Sequence, residues 1–390
     1  MTPTDDPAES GAPLRGLRVL DFSRILAGPL CTQVLGDLGA DVVKVERPGE
    51  GDDTRQWGPP FVGDDAAYFL SLNRNKRSIA LDLRSPEQAD VARRLARTAD
   101  VVIENFRPGL MEGFGLDLDE LRADNPGLVS CSLTAFEGTE DASRPGYDII
   151  VQALSGLMSV TGEPGGAPTK VGVALLDVIT GLYGAIGVLA ALEERRSTGR
   201  GRHVTVSLFG ASVAAMVNQA ANYLLGGAVP EAMGSAHPNI VPYQVFHASD
   251  RPFVLAAGND KLFRLTCEVV GRPEWADAED FATNRARVRN RGRLIPLLAD
   301  VLAARTAAEW LEALEVRGVP CSPIHRMDEV FSSREGSSLV ETIDDPIRGA
   351  LRLVANPIRI DGDAVEHRAP PLVGEHTEEI LRELEQRERR

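Results

Sequence analysis

A chain of 390 residues, 43% of them hydrophobic, is long enough for two compact domains, each with a core of its own. The net charge of -15, with no Lys/Arg run interleaved with aromatics, argues against a nucleic-acid partner, and an anionic small ligand needs a basic pocket built for it. No stretch approaches the roughly 20 uninterrupted apolar residues of a bilayer span, so the chain reads as soluble, with no membrane partner.

Residues 1–13 are acidic and rich in Pro, Ser and Gly, without the basic start and apolar middle of a secretory signal, and read as a frayed tail on a cytoplasmic protein. From residue 17 the pattern is strand (17–22), loop, helix (about 29–38) and a second strand (42–46), a parallel βαβ unit such as opens a Rossmann-like sheet. Alternation continues with a strand over 78–83, a helix over 86–99, Val101-Val102-Ile103 and a strand over 128–132, and the sheet is expected to end near 135. A Gly-, Pro- and Thr-rich stretch follows to 173, then an apolar run over 178–192 closed by Gly199-Arg200-Gly201. After a helix over about 207–225, the span 226–330 reads as a smaller α/β domain with linkers. Strand-like patterning then resumes, and a final helix covers 375–385.

Asp177 stands alone behind an apolar stretch and ahead of a helix. Such an Asp caps orphan N–H groups at the positive end of the helix dipole, and that is the plainer reading. The sharper one is that the same terminus, in a partly dry site, holds a carboxylate ready as a nucleophile. Gly162, Gly165, Gly166, Gly172 and Gly181 allow close backbone approach, or simply tight packing. A second group, Arg47, Arg55, Arg74, Lys76, Arg77 and Arg84, sits at or just after strand ends, where a parallel sheet forms its ligand crevice and guanidinium groups suit phosphates. Each is also a candidate for a solvated charged face. Neither G-x-G-x-x-G nor G-K-[ST] nor G-x-S-x-G occurs, which removes support for NAD, ATP and serine hydrolysis, although Glu46 ends the second strand as a ribose-binding acid would. Cys31, Cys131, Cys267 and Cys321 are far apart, so neither disulfide nor structural metal is expected.

Arg18-Val19-Leu20-Asp21-Phe22, Leu26-Ala27-Gly28-Pro29 and the run Leu35-Gly36-Asp37-Leu38-Gly39-Ala40-Asp41 closely resemble the opening of the family III CoA-transferases, the CaiB/BaiF family. Asn73-Arg74-Asn75-Lys76-Arg77-Ser78, Glu104-Asn105-Phe106-Arg107-Pro108-Gly109, Arg144-Pro145-Gly146-Tyr147-Asp148, His237-Pro238-Asn239 and Pro371-Leu372-Val373-Gly374-Glu375-His376-Thr377 continue the resemblance in order, from about 14 to 384. It implies a Rossmann-like large domain built from both chain ends (14–225 and 331–390), a small domain between them and two ring-shaped subunits interlocked in a homodimer. It also implies that Asp177 attacks an acyl-CoA thioester to form an aspartyl anhydride, with coenzyme A as substrate and no covalently bound cofactor. By the same resemblance Leu26, Ala27, Arg47, Leu81 to Arg84, Asn105, Phe106 and Pro145 to Tyr147 and Asp148 fall at CoA-contacting positions, and residues 234–243 form a candidate lid.

Two features narrow the substrate. Gly113 stands where some relatives place an Arg, and no long glycine run is present, which argues against an oxalate acceptor. Gly51-Asp52-Asp53-Thr54-Arg55, Trp57-Gly58-Pro59-Pro60 and Ile240-Val241-Pro242-Tyr243-Gln244 resemble the succinyl-CoA:glutarate branch and so imply a dicarboxylate pair. Two rivals stand beside transfer. One is the α-carbon racemase of the same superfamily, which needs a catalytic His in a stretch, 1–202, that holds none; the other is a non-catalytic CoA-binding dimer with Asp177 as a cap.

Overall fold

The computed structural model describes residues 12–137, 144–361 and 366–389. Most of the tail expected over 1–13 lies outside the described residues. The chain divides into two units: Met1–Leu157, Val171–Leu224 and Ser338–Arg390 form the larger, and Met158–Lys170 with Leu225–Ser337 the smaller. The stretch Met158–Lys170 therefore belongs to the smaller unit, whereas the sequence pattern assigns it to the large domain.

In the larger unit the elements run β1 (Arg18–Asp21), α1 (Ala27–Asp37), β2 (Asp41–Glu46), β3 (Lys76–Ala80), α2 (Pro86–Arg97), β4 (Val101–Glu104), β5 (Val129–Thr134), α3 (Asp148–Leu154), α4 (Leu175–Thr198), β6 (His203–Ser207), α5 (Leu208–Ala215) and α6 (Val217–Gly226). A last helix, α7 (Thr377–Glu388), returns to this unit. The sheet order is β3-β2-β1-β4-β5-β6 with every pair parallel. This is the doubly wound order, with its reversal between β1 and β4, where such sheets open a ligand crevice beyond the strand carboxyl ends. The sixth strand is a correction to the expectation that the sheet stops near 135. His203-Val204-Thr205-Val206-Ser207 is short, and its exposed edge position mutes the apolar signal.

Side chains alternate across the sheet with the period of a strand. Leu20, Val43, Ile79 and Val102 pack with Leu95 and Ala96 of α2 and Ile380 and Leu384 of α7. Val19, Val42, Val101, Ile103 and Val129 face the other way, onto Cys31 and Leu35 of α1 and Ala185, Val188 and Leu192 of α4. Helix α4 is long and apolar enough by composition to cross a membrane, but this side of it is core. It meets α1 closely because Gly181 leaves room: a Cβ there would stand 2.5 Å from the Ala27 carbonyl oxygen.

In the smaller unit β7 (Tyr243–His247), β8 (Pro252–Ala256) and β9 (Cys321–Pro323) form an antiparallel sheet in the order β9-β8-β7. Phe253, Phe263, Leu294, Leu298 and Trp310 fill its core. Residues 234–243 are tied down within this unit: Arg291 donates to the carbonyls of His237 and Pro238, and Asn284 Nδ2 donates to that of Asn239.

Candidate active site

The crevice at the sheet reversal rests on buried charges. Asp21, at the end of β1, accepts hydrogen bonds from Thr32 Oγ1 at 2.6 Å and Lys76 Nζ at 3.2 Å. Lys44 Nζ pairs with Asp52 at 2.9 Å and donates to the Ser23 carbonyl at 2.7 Å. Neutralising partners at this depth make burial tolerable, and they fix the loops that follow β1 and β2. Asp52 in turn receives the backbone N–H of Ile25 at 3.3 Å, which helps hold that β-branched residue at φ 73°. Burial lowers the Lys76 ammonium to about 8, opposed by the attraction of Asp21.

Four of the six basic residues expected in a phosphate pocket belong to this structural layer instead. Arg55 pairs with Glu46 and Asp65, both at 2.8 Å; Arg74 with Asp37 at 2.6 Å; Lys76 with Asp21; and Arg77 with Asp41 and Glu379, both at 2.7 Å. A bidentate or buried pair of this kind uses the guanidinium for folding. Arg47 and Arg84 remain at the crevice. Both line a pocket of about 230 Å³ with Phe22, Val45, Leu81 and Phe106. Their partners are local, Asp53 and Glu50 for Arg47 and Asp82 for Arg84, and both arginines stay exposed.

That pocket shares Arg24, Phe106 and Leu110 with a larger cavity of about 710 Å³, whose wall includes Ala27, Asn105, Arg107, Arg144, Tyr147 and Asp177. One continuous groove thus joins an apolar, Arg-rimmed end to the carboxylate. Its middle is set by a reciprocal clasp: the Arg24 N–H donates to Asn105 Oδ1 at 2.8 Å, and Asn105 Nδ2 donates to the Arg24 carbonyl at 2.7 Å. Arg24 also lies 5.3 Å over the Phe106 ring, and the Phe106 N–H is held by Glu104 at 2.7 Å. Arg24 is the residue that sequence reasoning missed. It sits between two of the motifs quoted above, directly beyond β1, where the reversal of a doubly wound sheet places a ligand.

Of the expected contacts, Ala27, Arg47, Leu81, Arg84, Asn105, Phe106 and Tyr147 line the groove, whereas Leu26 is buried at the N-cap of α1. Asp148 turns elsewhere. Its Oδ2 accepts the backbone N–H of Leu176 at 2.8 Å and that of Asp177 at 3.4 Å, while Gln152 Nε2 donates to its Oδ1. The capping role considered for Asp177 therefore falls to Asp148, from another helix. The N-cap of α4, Ala174, has no side-chain cap, and Asp177 lies inside the first turn. The glycines divide as well: Gly181 serves packing against α1, and Gly162, Gly165 and Gly166 fall in the smaller unit.

Asp177 is half-buried. Burial, and then the negative charge of Asp148, push its carboxyl up to about 7. Tyr68 is pushed up to about 12, by burial first and then by Asp177, Asp148 and Asp52, and stays protonated as a donor. A carboxylate with so high a pKa, on a groove wall, is a stronger base and nucleophile than an exposed one.

Comparison with known proteins agrees with this geometry. The model of CoA-transferase family III matches residues 14–377. A succinate–glutarate CoA-transferase of Agrobacterium fabrum is 42% identical over 97% of this chain and 97% of its own length. A succinyl-CoA:glutarate CoA-transferase of Mus musculus is 41% identical over 96% of this chain and 87% of its own. A CaiB/BaiF family protein from Brucella suis, known from its crystal structure, superposes with a TM-score of 0.83 at 44% identity, covering 96% of this chain and 99% of that one. The chain belongs to CoA-transferase family III, an enzyme that passes CoA from an acyl-CoA to a carboxylate.

Proposed function

We propose that Asp177 is the nucleophile of this transfer and that the acids exchanged are dicarboxylates, with succinyl-CoA as donor. The observation that carries the reading is the continuous groove from Arg47 and Arg84 to Asp177 at the sheet reversal. CoA phosphates suit the two arginines at the rim, its adenosine suits the apolar pocket of Phe22, Val45 and Leu81, and its thioester end extends toward Asp177. Glutarate and succinate, named for two relatives, make a dicarboxylate the first choice of acceptor.

Ionised Asp177 attacks the thioester carbonyl carbon, the C–S bond breaks, and CoA leaves as thiolate with the electron pair. The bound thiolate then attacks the aspartyl carbonyl of the anhydride, releasing the donor acid and leaving an Asp177–CoA thioester. An acceptor carboxylate reverses the two steps. Anhydride and thioester are both activated acyl groups, so neither exchange climbs far in free energy. The absence of any histidine between residues 1 and 202 disfavours the racemase alternative, and the pushed-up carboxyl of Asp177 disfavours a merely capping role.

The working form we propose is an interlocked homodimer in the cytoplasm, with the larger unit made from both chain ends. Exposed apolar side chains on α4 to α6, among them Leu182, Tyr183, Ile186, Val213, Tyr223 and Leu224, support a protein partner. The four cysteines are all free thiols. The test is incubation with succinyl-CoA, trapping with hydroxylamine or borohydride, and peptide mass spectrometry. Modification at Asp177 supports the reading, and an unmodified Asp177 with CoA bound sinks it for this donor.

A further inference from the structure

Asp148 is 9% exposed as a residue and makes no part of the groove wall, yet its carboxylate is aimed at the turn that carries the nucleophile. Gln152, fully buried one turn along α3, holds it by Nε2 and is itself fixed, its Oε1 accepting the Val171 N–H at 2.9 Å. A chain of donors thus runs from the segment before α4, through Gln152, to Asp148 and into the first turn of α4. The arrangement is more than a cap. A cap needs only an acceptor, and Ser, Thr or Asn supply one without setting a second buried charge beside Asp177.

We propose that Asp148 is a positioning residue for Asp177: held by Gln152, it pins the first turn of α4 and keeps a negative charge beside the nucleophile, so that acylating Asp177 relieves a standing repulsion. The inference rests on Asp177 as the nucleophile. The step conserves charge. The negative charge on the Asp177 carboxylate is consumed in the new C–O bond, and an equal charge appears on the CoA sulfur when the C–S bond breaks. Charge thereby moves away from Asp148, and the covalent state gains against the free carboxylate. Both the anhydride and the later aspartyl–CoA thioester share this advantage, since Asp177 is neutral in each.

The other groups that face Asp177 do not supply the effect. Tyr68, from the short helix Ala67–Leu70, is a neutral phenol at working pH. Arg24, Arg107 and Arg144 line the same cavity as cations, the sign opposite to one that raises a carboxyl. Among the described residues, Asp148 is the acid whose charge adds to burial in raising it.

The experiment has two parts. In the first, kcat/KM for acyl-CoA is followed against pH in the parent, Asp148→Asn and Asp148→Glu. Asp148→Asn should move the acidic limb to lower pH by about one unit and lower the fraction of Asp177 trapped as a covalent adduct, while Asp148→Glu keeps the limb in place. A role in packing alone lowers activity without moving the limb, and that result overturns the proposal. The second part needs no substrate: a thermal-unfolding cycle of Asp148→Asn and Asp177→Asn. Asp177→Asn should raise Tm at pH 8, and should raise it less in the Asp148→Asn background; at pH 5, where Asp177 is protonated, the coupling should vanish. Additive shifts at pH 8 overturn the proposal whatever the activity. Absence of an adduct in the parent overturns the covalent reading instead, and the cycle still decides the role of Asp148.

Discussion

Arg55 grips Glu46 with two prongs, Nε and Nη2 reaching the carboxylate at 2.9 and 2.8 Å, and lays its guanidinium 3.6 Å over the ring of Phe69. Both side chains are buried. Glu46 ends β2, the position at which a dinucleotide fold offers an acid to a ribose, and here that acid is already engaged. Truncating one partner leaves the other charge buried and bare. Arg55→Ala should lower stability by about 3–5 kcal/mol, read by urea unfolding. Arg55→Lys should recover little of it, since an ammonium cannot reproduce the fork.

The nucleophile sets a second expectation. With Asp177 at about 7, the reactive carboxylate is the minor form below that pH and the major form above it. Accordingly, kcat/KM should rise about tenfold per pH unit on the acidic side and level off above about pH 8. A flat profile from pH 5 to 8 would contradict the assignment.

The same shift has a thermodynamic face. A carboxyl raised above its unfolded value binds its proton more tightly when folded, so the penalty is absent below about pH 4, grows between there and 7, and is complete above 7. Asp177→Asn should therefore match the parent in Tm at pH 4 and exceed it at pH 8, by at most roughly 4 kcal/mol and by less where water reaches the open side. Activity should be lost at every pH, as an amide cannot form the anhydride.

At the other end of the groove, Arg47→Ala and Arg84→Ala should each raise KM for acyl-CoA, by roughly fivefold for about 1 kcal/mol, with little change in kcat. Both sites are exposed, so the effect should shrink in high salt. Loss of kcat without change in KM would place these residues elsewhere in the reaction.

Gly181→Ala tests the helix crossing. The new methyl would meet the Ala27 carbonyl at 2.5 Å, and backbone atoms do not move aside cheaply. We expect a loss of about 1–3 kcal/mol in chemical unfolding, accompanied by lower kcat because Ala27 lines the cavity that holds Asp177.

Much of this is legible in the sequence alone. The βαβ pattern of β1, α1 and β2 announced a parallel sheet, and Asp177 stood out as an isolated acid at the start of a helix. What stayed hidden was pairing. Arg55, Arg74 and Arg77 look like Arg47 and Arg84 along the chain, and only the fold brings Glu46, Asp37 and Asp41 against the first three. Strand β6 escaped because an edge strand of five residues carries too few buried side chains to show its period. The resemblance puts Asp148 among the ligand contacts together with Pro145 to Tyr147; Gly146 and Tyr147 do line the cavity, but one residue further the chain enters α3 and the side chain turns inward.

Helix α4 carries Asp177 in its first turn and, within three turns, exposes Leu182, Tyr183 and Ile186. A helix is a stiff rod, so a surface that settles on those side chains acts on the same lever whose tip carries the reactive oxygen. Where the proposed interlocked dimer covers that face, Ile186→Asp should lower kcat together with the dimer fraction read by analytical ultracentrifugation, whereas dilution of the parent should leave specific activity unchanged.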